Sequence, residues 1–143
     1  RASLEQKLPF DDGSFDCIVN INALYMLDNP DDALEEFYRV LRPGGTLVIS
    51  HPRRIPSMKE ILADHARRFG ILSVVRPIAA FALIALFNWF IFRRLSTGDY
   101  FFWSPARLQD HLQRAGFNVI STECIYTCNC NALACATKPA PSA

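Results

Sequence analysis

Between Phe15 and Ser50 the chain reads strand, helix, turn, strand, and that order within about 35 residues leaves few folds open. The run Phe15-Asp16-Cys17-Ile18-Val19-Asn20-Ile21 is short and rich in β-branched residues, and it follows the turn signal Asp11-Asp12-Gly13-Ser14. It predicts a strand, and its mostly apolar make-up predicts burial in a parallel sheet covered on both faces. A helix from Pro30 through Leu41 comes next. Asn29 stands at its cap, Pro30 suits its first turn, and Asp31 and Asp32 favour the positive end of its dipole. Leu34, Phe37, Tyr38 and Leu41 recur at helical spacing and give it one apolar face. Arg42-Pro43-Gly44-Gly45 ends the helix and turns the chain into a second buried strand, Thr46-Leu47-Val48-Ile49-Ser50. Such a βαβ unit takes a right-handed crossover.

Residues 53–68 predict a polar, mostly helical stretch after Pro52 and Pro56. Ser104 and Pro105 open a further helix that Gly116 stops. Two strand-like runs, 117–126 and 131–137, joined through Asn129, predict an antiparallel pair. The tail from Lys138 carries two prolines and is expected to fray.

Half of the 143 residues are hydrophobic, enough for one compact domain with a core. The net charge of +1 points to no acidic partner, and the basic residues form no stripe, so no nucleic-acid partner is expected. Charge is unevenly spread: residues 51–100 carry eight Lys/Arg against three Asp/Glu, so an acidic body holds a basic insert. Five cysteines, at 17, 124, 128, 130 and 135, are an odd number whose spacing matches no common zinc knuckle. They are expected to be structural thiols, and no metal site is expected. Asp11, Asp12 and Asp16 fit turn and strand-entry chemistry, and His65 and His111 are expected at the surface of helices. The chain opens at Arg1 in sequence that reads as the middle of a domain, so upstream residues are expected.

Three motifs carry a resemblance. Leu8-Pro9-Phe10-Asp11-Asp12-Gly13-Ser14-Phe15-Asp16, then Tyr38-Arg39-Val40-Leu41-Arg42-Pro43-Gly44-Gly45-Thr46-Leu47-Val48-Ile49, and Arg114-Ala115-Gly116-Phe117 stand in one order about 30 and 70 residues apart. Together they resemble the class I methyltransferases that use S-adenosyl-L-methionine, especially the small-molecule type 11 group. The resemblance implies an α/β fold, the C-terminal half of a Rossmann-like methyltransferase sheet in the strand order 4-5-7-6. The last strand is antiparallel, and a helical, apolar, lid-like insert lies over 53–100 of a partial domain spanning 1–143. It also implies a partner, the N-terminal half of the same domain, which carries the family's glycine-rich cofactor loop. The six glycines here form no G-x-G run. The strand over 15–21 would then have an open edge, and the half-domain alone is expected to be marginally stable and inactive, and to bind cofactor poorly or not at all.

The same resemblance implies site residues. Ser3 and Leu4 fall where the family contacts adenine, with Ser3 standing in place of the usual Asp. Asn20, Ile21 and Asn22 fall beside the methionine part of the cofactor, S-adenosyl-L-methionine, at the carboxyl end of a strand, where open α/β sheets bind ligands. The plainer reading is that the two Asn cap a turn. Tyr25 follows on the same loop and is a candidate to line the side of a small-molecule acceptor. His51, at the carboxyl end of the next strand, either solvates that end or serves as a catalytic base.

Residues 71–92 are the most apolar stretch, bracketed by Arg67-Arg68 and Arg93-Arg94, yet Arg76, Pro77 and Asn88 break them below the length of a bilayer span. Three readings stay open: a lid over a lipophilic acceptor, peripheral contact with a membrane surface, or a plain core helix. The expectation is a cytoplasmic enzyme, with membrane association through 71–92 as an added feature. The rival is a membrane-associated module without transferase activity, built on a degenerate half-fold.

Overall fold

The computed structural model describes residues 3–54, 57–74, 101–125 and 129–140. They form strands β1 (Phe15–Ile21), β2 (Leu41–Pro52), β3 (Asn118–Ile125) and β4 (Asn131–Thr137) and helices α1 (Pro30–Val40), α2 (Met58–Phe69) and α3 (Pro105–Arg114). The four strands make one sheet in the order β1-β2-β4-β3. β1 and β2 run parallel, and β4 is antiparallel to both of its neighbours. Counted in the expected scheme this is 4-5-7-6 with the last strand reversed, and β1 is at the edge.

The chain divides into two compact units, Arg1–Ile55 with Tyr100–Ala143, and Pro56–Asp99. In the second, α2 begins with a capping box: the Ser57 hydroxyl accepts from the Glu60 amide, and the Glu60 carboxylate accepts from the Ser57 amide. A 3-10 turn, Ile71–Val74, follows. The readings of 75–92 lie outside the described residues. No helix among the described residues is long and apolar enough to cross a membrane.

In the first unit the core forms on one face of the sheet. The register sets Ile18 beside Leu47, Leu47 beside Ala136, and Ile49 beside Ala134. Onto them pack Ala33, Leu34 and Phe37 of α1 and Leu108 and Leu112 of α3. The alanines of β4 let the helices sit close, and the apolar spacing of each helix supplies the facing stripe. The opposite face differs from expectation. Val19 and Ile21 are each 61% exposed and Cys17 is also exposed, so β1 is not buried on both sides. The reason is that α1 and α3 both lie on the face of Ile18 and Leu47.

The motif residues hold one another in place. The Arg39 guanidinium donates to the carbonyls of Leu8 and Phe10 and pairs with Asp12 and Glu36. Glu36 in turn accepts from the Leu8 amide at 2.9 Å. The Arg39 hydrogen bond, with help from the Leu8 amide against the cost of burial, lowers the Glu36 pKa to about 2. Asp16 pairs with Arg42, and Ser14 closes the turn onto the Asp11 carbonyl, so the aspartates of this segment serve the turn. The expected turn over Arg42–Gly45 lies inside β2: Gly44 has φ +77, and a side chain on Gly45 would come within 2.8 Å of Leu41 Cγ and 2.9 Å of the Arg42 carbonyl. This stretch absorbs a register irregularity in which two residues of β1 pass five of β2.

Some local expectations are corrected. Asn29 holds the cap position of α1, but its side chain makes no capping bond; Ser104 does cap α3, accepting from the Arg107 amide. Lys138 is pinned, not frayed. Its Nζ donates to the carbonyls of Tyr38 and Leu41 at the end of α1, where a cation meets the negative end of the dipole. Its backbone pairs with Gly44 and Gly45. The hairpin turn passes through Asn129 at φ +52, as its position between β3 and β4 implies.

Candidate functional site

Parallel strands β1 and β2 end side by side, and the residues singled out from sequence gather there. Asn20 pairs in register with Ile49, and Ile21 with Ser50. Asn20 is 6% exposed, and its Oδ1 is buried with no hydrogen-bond partner among the described residues. A buried amide oxygen left bare costs about 1–3 kcal/mol, so this acceptor is placed for a donor from elsewhere. Ile21 points the other way, to the open face.

Asn22 leaves the strand at φ +50, a conformation that Asn tolerates better than most residues. Its amide donates to the Ser50 carbonyl at 2.8 Å. Its Oδ1 accepts from Asn131 Nδ2 at 2.6 Å, and the same nitrogen lies 3.2 Å from Ser50 Oγ. Asn131 and Ser50 had not been singled out. Asn131 follows a hairpin turn in sequence, and only the pairing of β4 with β2 brings it beside Asn22.

Tyr25 lies in a 3-10 turn, Leu24–Met26. Its carbonyl accepts from the Phe101 amide at 3.1 Å, and its ring stacks with Phe102 at 6.5 Å between centroids. Residues 101–103 thus form a strap joining the loop after β1 to the start of α3.

His51 holds the other side of that strap. It is 0% exposed, with Nε2 3.0 Å from the Phe101 carbonyl. A carbonyl only accepts, so Nε2 carries the proton, and Nδ1 is left buried without a partner among the described residues. Burial is the main cause that pushes the His51 pKa down to about 4, so the ring is neutral near pH 7. A catalytic base must meet the proton it takes. His51 presents no surface to a substrate here, and the geometry supports a role in holding the strap.

The indole of Trp103 is sandwiched between two imidazoles, His51 at 4.6 Å and His111 at 3.9 Å between centroids. His111 Nδ1 is 2.6 Å from Asp31 Oδ1 at the start of α1. The expectation that His111 lies at the surface is corrected: its side chain is largely covered, because Trp103 takes one ring face. His65 sits in the other unit, its ring 4.8 Å from Phe69.

Ser3 and Leu4 stand apart. The Ser3 oxygens accept from the Glu5 and Gln6 amides in a local turn, and Leu4 packs against the core. No hydrogen bond among the described residues joins them to the strand ends. No group of three or more potential metal ligands occurs among the described residues.

Known proteins share this sequence and architecture in part. Residues 1–49 match the family described as a methyltransferase domain. The chain is 46% identical over 44 residues to the ubiquinone/menaquinone biosynthesis C-methyltransferase UbiE of Haemophilus ducreyi, 31% of this chain and 17% of that protein. It is 31% identical over 112 residues to the demethylmenaquinone methyltransferase of Protochlamydia amoebophila, 78% of this chain and 44% of that protein. The chain therefore spans less than half the length of these curated relatives. Among solved structures, the CurJ carbon methyltransferase superposes with a TM-score of 0.60 at 17% identity, covering 97% of this chain and 34% of that one. At that identity the likeness shows the fold.

Proposed function

The chain has the class I methyltransferase fold, and from that premise we propose that it forms the acceptor-side part of a domain transferring a methyl group from S-adenosyl-L-methionine to a small lipophilic acceptor. The observation that carries the proposal is the pair of parallel strand ends, where Asn20 offers a buried, unsatisfied oxygen and Asn22 an amide held out of the strand. Polar groups at that position suit a cofactor with both donors and acceptors. In the proposal Asn20 Oδ1 accepts an N–H of the cofactor, the Asn22 Nδ2 donates to it, and Ile21 and Asn22 bound its methionine end. Ser3 and Leu4 are assigned to the adenine side, and Tyr25 to the acceptor.

The cofactor brings a methyl group on a sulfonium, which is already a strong donor. The protein therefore has to orient and dry the site more than to move protons. His51 then acts through the strap: it fixes the Phe101 carbonyl, while the Phe101 amide holds Tyr25. The free edge of β1, with its uncovered face of Val19 and Ile21, is the proposed seat of the N-terminal half that carries the glycine-rich loop.

The relatives' names support an acceptor class for the proposal: a demethylated quinone, taken in its quinol form, apolar and lipid-soluble. An acceptor of that kind supports peripheral membrane contact through 71–92, on an otherwise cytoplasmic enzyme. The test is a chimera in which the N-terminal half of the Protochlamydia amoebophila enzyme precedes Arg1, supplied with methyl-labelled cofactor and demethylmenaquinol in detergent. Label in the quinol is expected. A folded chimera that binds S-adenosylhomocysteine yet labels no quinol contradicts the acceptor class. One that binds no S-adenosylhomocysteine contradicts the cofactor assignment.

A further inference from the structure

We propose that Asn131, on β4, is a positioning residue that fixes which end of the Asn22 amide faces the cofactor; this rests on the reading above that Asn22 meets that cofactor. Asn131 is nearly buried and lies where three strands meet, in register with Pro52 on one side and Ile125 on the other. Its Nδ2 donates to Asn22 Oδ1 at 2.6 Å. Ser50 Oγ, 3.2 Å from the same nitrogen, is its second partner. A primary amide has an accepting and a donating end. With its oxygen turned toward Asn131, Asn22 directs its NH2 group outward. The Asn22 backbone cannot easily swing away, because its own amide is tied to the Ser50 carbonyl at 2.8 Å. The strand ends therefore carry two fixed, opposite polarities: an acceptor at Asn20 and a donor at Asn22.

Two substitutions separate orientation from support. Asn131→Asp replaces the donor by an acceptor while keeping shape. The Asn22 amide then turns over to donate to the new carboxylate, and its oxygen faces out. Asn22→Asp keeps the bond from Asn131 but puts a carboxylate oxygen outward, and aspartate tolerates the left-handed backbone. Both retain a hydrogen bond at the clamp, and both remove the outward donor.

The experiment is side-chain amide NMR of the 143-residue chain with hydrogen exchange, followed by titration of the chimera with the N-terminal half, as wild type and as each variant, with S-adenosylhomocysteine. In the wild type the Asn131 NH2 protons are expected to be protected and those of Asn22 to exchange with solvent. In Asn131→Asp the Asn22 protons become protected. Each variant is expected to weaken S-adenosylhomocysteine binding roughly two- to tenfold, the value of one hydrogen bond, with the thermal midpoint little changed. Protected Asn22 protons in the wild type, or Asn22 exchange unaltered by Asn131→Asp, overturn the orientation claim. Affinity unchanged in both variants, despite the turnover, overturns the positioning role. The expected exchange patterns in wild type and Asn131→Asp, with a wild-type chimera that binds no S-adenosylhomocysteine, instead overturn the cofactor assignment, which separates the two failures.

Discussion

Replacing Trp103 by alanine is expected to destabilise the first unit by about 3–5 kcal/mol, the range for removing a large buried aromatic. Trp103 is 4% exposed and belongs to the core cluster. Both of its faces are covered, by His51 on β2 and His111 on α3, and His111 reaches Asp31 on α1. One side chain thus joins the sheet to both helices. Trp103→Phe keeps a ring between the imidazoles and is expected to cost less than half as much. Urea unfolding followed by circular dichroism gives both values. Equal losses for the two variants would show that the stack contributes little beyond filled volume.

Acid should weaken the fold through His51 in a defined window. The pKa of the folded state is about 4 and that of the free side chain 6.5. Between these values the unfolded chain binds the proton and the folded chain does not, so stability falls as pH drops from about 6.5 through about 4. The full effect is about 3 kcal/mol, from a shift of roughly two and a half pKa units at 1.36 kcal/mol each. His51→Phe keeps a ring against Trp103 but cannot be protonated. The difference between wild type and variant, followed by urea midpoints from pH 7 to pH 4, should shrink by this amount as pH falls. A difference that stays flat across that range would mean that His51 is not held neutral by burial. Glu36 acts elsewhere: its pKa is lowered from 4.5 to about 2, so the stability it adds is present above pH 4.5 and lost as pH falls through about 2.

Much of the fold was legible because local signals and tertiary pairing agree. The βαβ unit follows from an apolar run, a helix with Pro30 at its start and a second apolar run, and these appear near their expected places; the expected glycine turn is instead an irregular stretch inside β2, which begins at Leu41. The strand order came from the motif resemblance, and the sheet has it. Burial was less legible. The run from Phe15 to Ile21 reads as buried on both sides, yet which face is covered depends on where α1 and α3 pack, and periodicity carries no record of that.

The site was legible only in its local half. Asn20 and Asn22 stand out because they interrupt an apolar run at a strand end. Asn131 lies 109 residues from Asn22 and carries no signal of its own. Nor does the pattern around His111 show that Trp103 will cover its ring. His51 illustrates the same limit. Its place at a strand end fitted a proton acceptor, whereas its alternation with Leu47 and Ile49 put it on the covered face.

The central claim is that the carboxyl ends of β1 and β2 hold the cofactor. Backbone amide NMR of this chain's residues in the chimera with the N-terminal half, titrated with S-adenosylhomocysteine, addresses it most directly. Within this chain the largest shifts are expected at Asn20, Ile21, Asn22 and Tyr25. Binding that leaves these residues unshifted, with the shifts of this chain centred elsewhere, would contradict it.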